Sequence, residues 1–230
     1  MILVSGEGWG LIQETMSNLV NAYLPMVVVY LQQGGPGAGS LGPSQMDYVS
    51  VTHGAGHGNY RMISLAPYNV QEIHDFMQIA FHLADKYRNP VIIATESNTI
   101  NLEETMEART LEFDPLPEKD WTLRGIGNQP DLKRRVICSG QGFIPMPAFP
   151  TYQHLLEGID DKVRRMREKE SRCETYALDD ARIVLVAYGS SARTCEKALE
   201  KARSEGIKAG MVRLQTLWPF PIDILKNKEY

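Results

Sequence analysis

Cysteine is scarce: the 230 residues hold three, Cys138, Cys173 and Cys195, far apart and without C-x-x-C spacing. That excludes a disulfide framework and leaves no zinc or iron–sulfur ligand set in this chain. No apolar run approaches the roughly 20 residues a membrane-spanning helix needs, and no charged-then-apolar leader opens the chain. A cytoplasmic protein with no membrane contact is expected. Basic excess is also lacking. The formal net charge is -4, and the basic clusters at residues 133–135 and 162–167 are short, reading as a solvated loop and a solvated helix face. Nucleic acid is therefore not an expected partner. Neither G-x-G-x-x-G nor a P-loop occurs, so nucleotide binding by those signatures is not expected. No His, Asp and Glu set has metal-ligand spacing.

What is present is an ordinary globular composition, 43% hydrophobic and 23% charged, with enough chain for one sizeable core or two smaller ones. The organising stretch is residues 24–40, LPMVVVYLQQGGPGAGS. Its apolar run shows no polar alternation, as in a parallel strand covered on both faces, and it stops at two glutamines and a glycine-rich loop. Ligands in open α/β sheets sit beyond the carboxyl ends of such strands, so this loop is the first candidate site.

In chain order, residues 1–4 read as a strand, residues 5–8 as a glycine turn, and residues from 11 on as a helix ending before Pro25. Residues 26–31 form the next strand, the Gly- and His-rich residues 41–60 a loop with a short helix at 45–51, and residues 61–65 a strand. Asn69 and Glu72 make a capping-box variant opening a helix to about Tyr87, which stops at Asn89-Pro90. Residues 91–94 form a buried strand, and 103–109 read as helical. Periodicity fades over 111–141, and the prolines of 142–150 predict an extended segment packed over a neighbouring domain. Residues 160–170 read as an exposed charged helix. A second α/β unit follows: strand 183–187, turn Gly189-Ser190-Ser191, a helix burying Ala192, Cys195, Leu199 and Ala202 that closes at Gly206, and strand 207–214. About 50 residues bury a parallel sheet poorly alone, so this unit must lean on the first or be incomplete.

Both Ser5-Gly6-Glu7-Gly8 and Gly189-Ser190-Ser191 put small residues at helix N-termini, where free N–H groups favour anions. A plain turn is favoured over phosphate for the second. His53 and His57 share a glycine-rich loop, where a histidine serves equally as a proton shuttle or as a solvated loop residue. His74 and His82 read as surface or boundary residues, and Trp218-Pro219-Phe220-Pro221 as a packed strand exit.

These pieces together carry a resemblance. Ser5-Gly6-Glu7-Gly8 with residues 11–14, then VVVYLQQGGPGAG, HGAGHGNYRMISLAP, AFHLADKYRNPVII and IVLVAYGSSARTCEKALEKARSEGIKAGMVRLQTLWPFP, resemble the α subunit of 2-oxoacid:ferredoxin oxidoreductases. No single motif decides it; their order and spacing do. The resemblance covers most of the chain and is weakest over 111–176. It implies an α/β fold: a parallel-sheet domain for the thiamine pyrimidine over residues 1–125, a linker with a charged helix over 126–180, and an incomplete transketolase C-terminal-like domain over 181–230. It implies oxidative decarboxylation of a 2-oxoacid to an acyl-CoA with reduction of ferredoxin. Thiamine diphosphate would be shared with a β subunit that carries the diphosphate and magnesium site and an iron–sulfur cluster.

By the same resemblance, Gln33, Gly34, Gly35 and Pro36 shape the substrate side, Gln45, Asp47 and His57 add polar contacts, and Ser5, Gly6 and Gly8 lie near the pyrimidine. Three departures stand out. The family's stretch with the glutamate that activates thiamine is missing ahead of the Ser5–Gly8 turn, and that role is assigned to neither Glu7 nor Glu14. Gln33 stands where many relatives carry arginine, and a neutral amide cannot form the charge-assisted bidentate pair with a carboxylate. A family stretch is also missing near residues 156–160. The competing expectations are a noncatalytic subunit that closes a partner's site, and a non-oxidative thiamine enzyme of transketolase or decarboxylase type.

Overall fold

The apolar residues 27–31 alternate between two cores rather than between core and water. In the computed structural model, which describes residues 1–40, 42–54, 56–119, 122 and 151–226, they belong to β2 (Met26–Gln32), with β1 (Ile2–Ser5) on one side and β4 (Pro90–Glu96) on the other, both parallel to it. β3 (Ile63–Leu65) lies parallel beyond β4, and β8 (Thr216–Trp218) closes the sheet antiparallel, giving the order β1-β2-β4-β3-β8. Val28 and Tyr30 face a core with Trp9, Met16 and Val20. Val27 faces the other, with Phe76, Ala80, Leu83 and Met166. Each fully buried aliphatic side chain contributes about 1.5–3 kcal/mol, which is why this run needs no polar positions.

Residues 6–8 are not a free turn. They open α1 (Gly6–Leu11), which breaks at Ile12 and resumes as α2 (Gln13–Asn21). The Trp9 ring of α1 stacks on Tyr30, with centroids 4.8 Å apart. α3 (Tyr48–His53) starts three residues later than the sequence predicts, and α4 (Val70–Tyr87) runs as predicted. Asn69 caps α4 by accepting the Glu72 N–H at 2.7 Å. The reciprocal half of the box is absent: Glu72 accepts from the Tyr68 N–H and pairs with Arg213. Arg88, left-handed at φ 47°, ends the helix before Pro90.

Residues 103–109 are not helical. The Gln71 Oε1 accepts the Glu107 N–H, the Gln78 Nε2 donates to the Arg109 carbonyl, and the Gln78 Oε1 accepts the Leu111 N–H. Side chains of α4 thus satisfy the backbone that a helix would otherwise satisfy internally. α5 (Ser97–Ile100) follows β4 directly. The segment 142–150 expected to be extended lies outside the described residues, as does most of 111–141.

The charged helix is longer than predicted and not wholly solvated. α6 (Tyr152–Lys169) buries Leu155, Lys162 and Met166, because its inner stripe packs across Tyr23 and the α4 core. The second sheet has the order β5-β7-β6, from β5 (Cys173–Tyr176), β6 (Ile183–Ala187) and β7 (Ala209–Leu214), with β5 antiparallel to β7 and β6 parallel. Strand β5 has no counterpart among the sequence expectations. α7 (Gly189–Ser204) packs Ala192 and Leu199, with Cys195 and Ala202 beside them, as expected. α8 (Ile222–Lys226) follows Pro221.

The second unit leans on the first through strand pairing and through polar side chains. Strand β8 joins the larger sheet, where Trp218 packs as a strand exit. At the seam the Arg213 guanidinium, 1% exposed, makes a two-pronged pair with Glu72 at 3.0 and 2.6 Å, and its Nε donates to Glu174 at 3.0 Å. Among the described residues no helix is long and apolar enough to cross a membrane.

Candidate active site

Parallel strands ending together make a common edge, here with Ser5 opposite Leu31 and Gln32 opposite Glu96. Immediately past β2 the chain turns through Gln33, Gly34 and Gly35. Three successive N–H groups there point at one carboxylate: the Asp47 Oδ2 accepts from Gln33 at 3.0 Å and Gly34 at 2.9 Å, and its Oδ1 accepts from Gly35 at 3.3 Å. The Tyr30 hydroxyl adds a fourth bond to Oδ2 at 2.9 Å. Burial alone would raise the Asp47 pKa; the three backbone donors and the tyrosine outweigh it and hold the carboxyl below its ordinary value. Burial, with the same contact, pushes the Tyr30 phenol up. Asp47 precedes α3 but makes no cap bond to it, because its carboxylate is spent on the loop.

The loop is drawn close to the first helix. Gly6 has φ +39°, and a Cβ there would stand 2.3 Å from the Gln33 Oε1, so only glycine lets Gln33 lie across the start of α1. Ser5 precedes α1 without capping it by a side-chain bond. Gly35 and Pro36 are exposed, and nothing lies within 4 Å of where a Gly35 Cβ would be. Gly8 makes only ordinary contact with Val4. Among the described residues, Trp9 Nε1, Gln32 Nε2 and the hydroxyls of Thr95 and Thr99 are buried near this edge without a partner.

The far side of the edge is closed by the second unit. The Glu96 Oε1 accepts from the Gln45 Nε2 at 3.0 Å and from the Ser190 N–H at 2.8 Å. Gln45 also donates to the Tyr188 carbonyl and accepts from the Ser191 hydroxyl. Gly189 has φ +53°, and a Cβ there would fall 2.5 Å from the Glu96 Oε1. The N-terminus of α7 therefore already holds an anion, the protein's own Glu96, and the plain reading of that turn prevails over phosphate. The Tyr188 hydroxyl is shared between the Gln32 Oε1 and the Gln45 carbonyl.

The structure thus gathers Gly6, Gln33, Gly34, Gly35, Gln45 and Asp47, and leaves His57 apart. The His57 Nδ1 lies 2.9 Å from the Glu14 Oε2, and its carbonyl accepts from Ser17. It borders a cleft of about 470 Å³ between α2 and α6 that includes Arg61, Tyr152 and Arg167. Tyr30, Gln32, Glu96 and Tyr188 were not singled out from the sequence. A polar side chain ending a buried strand, as at Gln32 and Glu96, is the signal that could have found two of them. Among the described residues no three His, Cys, Asp or Glu side chains converge to hold a metal.

Residues 1–146 match the family model described as pyruvate flavodoxin/ferredoxin oxidoreductase, thiamine diphosphate-binding, and residues 181–229 match pyruvate:ferredoxin oxidoreductase core domain II. Over 227 residues the chain is 41% identical to ketoisovalerate oxidoreductase subunit VorB of Methanothermobacter thermautotrophicus, a match covering 99% of this chain and 62% of the relative. It is 32% identical over 247 residues to 2-oxoglutarate synthase subunit KorA of Methanocaldococcus jannaschii, covering 99% and 66%. The chain therefore spans about three fifths to two thirds of the length of these curated relatives. The fold matches a solved 2-oxoglutarate:ferredoxin oxidoreductase from Magnetococcus marinus with 2-oxoglutarate, coenzyme A and succinyl-CoA bound. That match has a TM-score of 0.75 at 22% identity over 98% of this chain and 43% of the other.

Proposed function

The chain belongs to the pyruvate flavodoxin/ferredoxin oxidoreductase thiamine diphosphate-binding family, and on that premise we propose that it acts as the α subunit of a 2-oxoacid:ferredoxin oxidoreductase. The reaction is oxidative decarboxylation of a 2-oxoacid to an acyl-CoA, with electrons passed to ferredoxin. The observation that carries this reading is the order of the two family matches along a chain whose two units meet at one carboxyl edge. The larger sheet, β1 to β4 with β8, makes the pyrimidine side, and the sheet of β5, β6 and β7 makes the second unit, which therefore takes in Cys173–Tyr176 and begins before the expected boundary at residue 181.

Thiamine diphosphate needs a polar cradle for its aminopyrimidine and oxygen ligands for the metal that neutralises its diphosphate. The residues at this edge fit the first. Trp9 Nε1 and Gln32 Nε2 are buried donors without partners, and Gly6, lacking a side chain, makes room for the Gln33 carboxamide at the same edge. The second requirement, and with it the diphosphate, its magnesium and the iron–sulfur cluster, is assigned to a β subunit, as the family resemblance implies. When bound, the cofactor supplies a nucleophilic carbon and an electron sink for loss of carbon dioxide. This chain binds and orients. Asp47 and Glu96 are engaged by the protein's own donors, so neither is assigned the proton relay on the pyrimidine.

Gln33 and the Gly34-Gly35-Pro36 loop face the 2-oxoacid. Its carboxamide donates a neutral hydrogen bond to the substrate carboxylate and leaves the rest of the recognition to shape. The relatives are named for ketoisovalerate, a branched monocarboxylate, in one case and for 2-oxoglutarate, a dicarboxylate, in the other, and identity is higher to the first, 41% against 32%. Purified α and β subunits with thiamine diphosphate should reduce a viologen dye in the presence of coenzyme A and ketoisovalerate, faster than with 2-oxoglutarate. Failure with every 2-oxoacid tried, despite bound cofactor, would sink the reading.

A further inference from the structure

Three consecutive backbone N–H groups in a glycine-rich turn form a ready receptor for an anion, and the simplest expectation for this family of substrates is that they take the 2-oxoacid carboxylate. Here the N–H groups of Gln33, Gly34 and Gly35 are all turned onto the Asp47 carboxylate, at 3.0, 2.9 and 3.3 Å. Tyr30 holds the same carboxylate from below at 2.9 Å, and Tyr30 is itself fixed by stacking on Trp9. The other end of the turn is tied back: the Gln33 carbonyl accepts from the Ser40 N–H at 2.9 Å and the Ser40 hydroxyl at 2.8 Å. With both backbone groups of Gln33 committed, its side chain is what the turn presents, lying across Gly6.

We propose that Asp47 is a positioning residue: an internal carboxylate that occupies the anion receptor of the Gln33–Gly35 turn, so that 2-oxoacid recognition falls to the Gln33 carboxamide. The proposal rests on the oxidoreductase reading for the identity of the substrate, and on the hydrogen bonds alone for the state of the turn. Asp47 does not touch the substrate. It denies the backbone N–H groups to it and sets the angle at which Gln33 meets it.

The test is Asp47→Ala in the assembled complex, with Asp47→Glu as the conservative partner. Losing a charged acceptor shared by several donors is expected to raise KM for the 2-oxoacid about tenfold or more. KM for coenzyme A and kcat should change far less. Added formate, a free carboxylate of the right size, should lower the raised KM in Asp47→Ala and leave the wild type unaffected. Amide hydrogen exchange at Gln33, Gly34 and Gly35 should accelerate in Asp47→Ala and slow again with formate, whether or not the complex turns over. Unchanged exchange at these amides overturns the proposal. So does a rise in KM for both substrates by the same factor with no response to formate, the pattern of general unfolding. An exchange response in a complex inert toward every 2-oxoacid would overturn the oxidoreductase reading and the substrate half of the proposal together.

Discussion

Lys162 sits on α6 with no exposed surface, its ammonium 3.8 Å from the Tyr23 ring centroid and 3.3 Å from the Val20 carbonyl. Burial, with Arg88 and Arg165 nearby, brings its pKa from 10.5 down to about 7. Between those values the unfolded chain carries a proton the folded chain lacks, so this group makes stability rise with pH through that window and adds no slope below it. Lys162→Met removes the slope. In urea unfolding at pH 7 and pH 9, the stability of the variant relative to wild type should be greater at pH 7 and decline toward pH 9; a difference that stays constant would show that the buried amine does not titrate there. The sequence around Lys162 is Asp160-Asp161-Lys162-Val163-Arg164-Arg165, and nothing local marks one cation in that run as buried. Only the arrival of Tyr23 against the helix does.

At the scale of elements, α4 was the most legible. Its apolar period, the Asn69 cap and the Asn89-Pro90 stop are local signals, and tertiary structure did not override them. Asn69→Ala removes the acceptor for the Glu72 N–H and should cost about 1 kcal/mol in chemical unfolding, while Asn69→Asp, which keeps an acceptor, should cost less. An equal loss in both would mean that the cap is not what Asn69 contributes. Residues 103–109 were misread for the opposite reason. Their acidic, alanine-containing sequence allows a helix, but their hydrogen-bonding partners are Gln71 and Gln78, 31 to 36 residues away. The glycine turn after β2 was legible as a site because an apolar run ending in glycines is a local pattern. Asp47, 13 residues from Gly34, was legible only as a polar residue near it. What it binds depends on the loop folding back.

Across the whole molecule, polar contacts such as Arg193 with Glu104 and the Tyr68 carbonyl join the units, and two seams among the described residues carry the larger networks. One is Gln45 and Glu96 with Tyr188 and Ser190, beside the proposed site. The other is Arg213 with Glu72 and Glu174, on the α4 side. Arg213 also lies over the Tyr68 ring, its guanidinium carbon 4.0 Å from the centroid. Removing one member of a buried ion pair strands its partners, so Arg213→Met should destabilise the chain by about 3–5 kcal/mol. Replacing Arg213 and Glu72 together with apolar residues should cost less than Arg213→Met alone. Chemical denaturation of the two variants measures the difference, and a double variant worse than the single one would show that the pair is not the seam's main contribution.

The sequence alone determined the α/β class and the strand and helix order around the glycine turn, because periodicity and caps are properties of neighbouring residues, and the order of its motifs carried the resemblance to the oxidoreductase family. Tertiary structure alone decided that Gly189-Ser190-Ser191 meets Glu96, that His57 stands away from Gln33, that Lys162 is buried, and that the anion receptor of the glycine turn is filled by Asp47. Each of these depends on which groups meet across the fold: a backbone N–H, a carboxylate or an ammonium takes its role from the partner that replaces water around it.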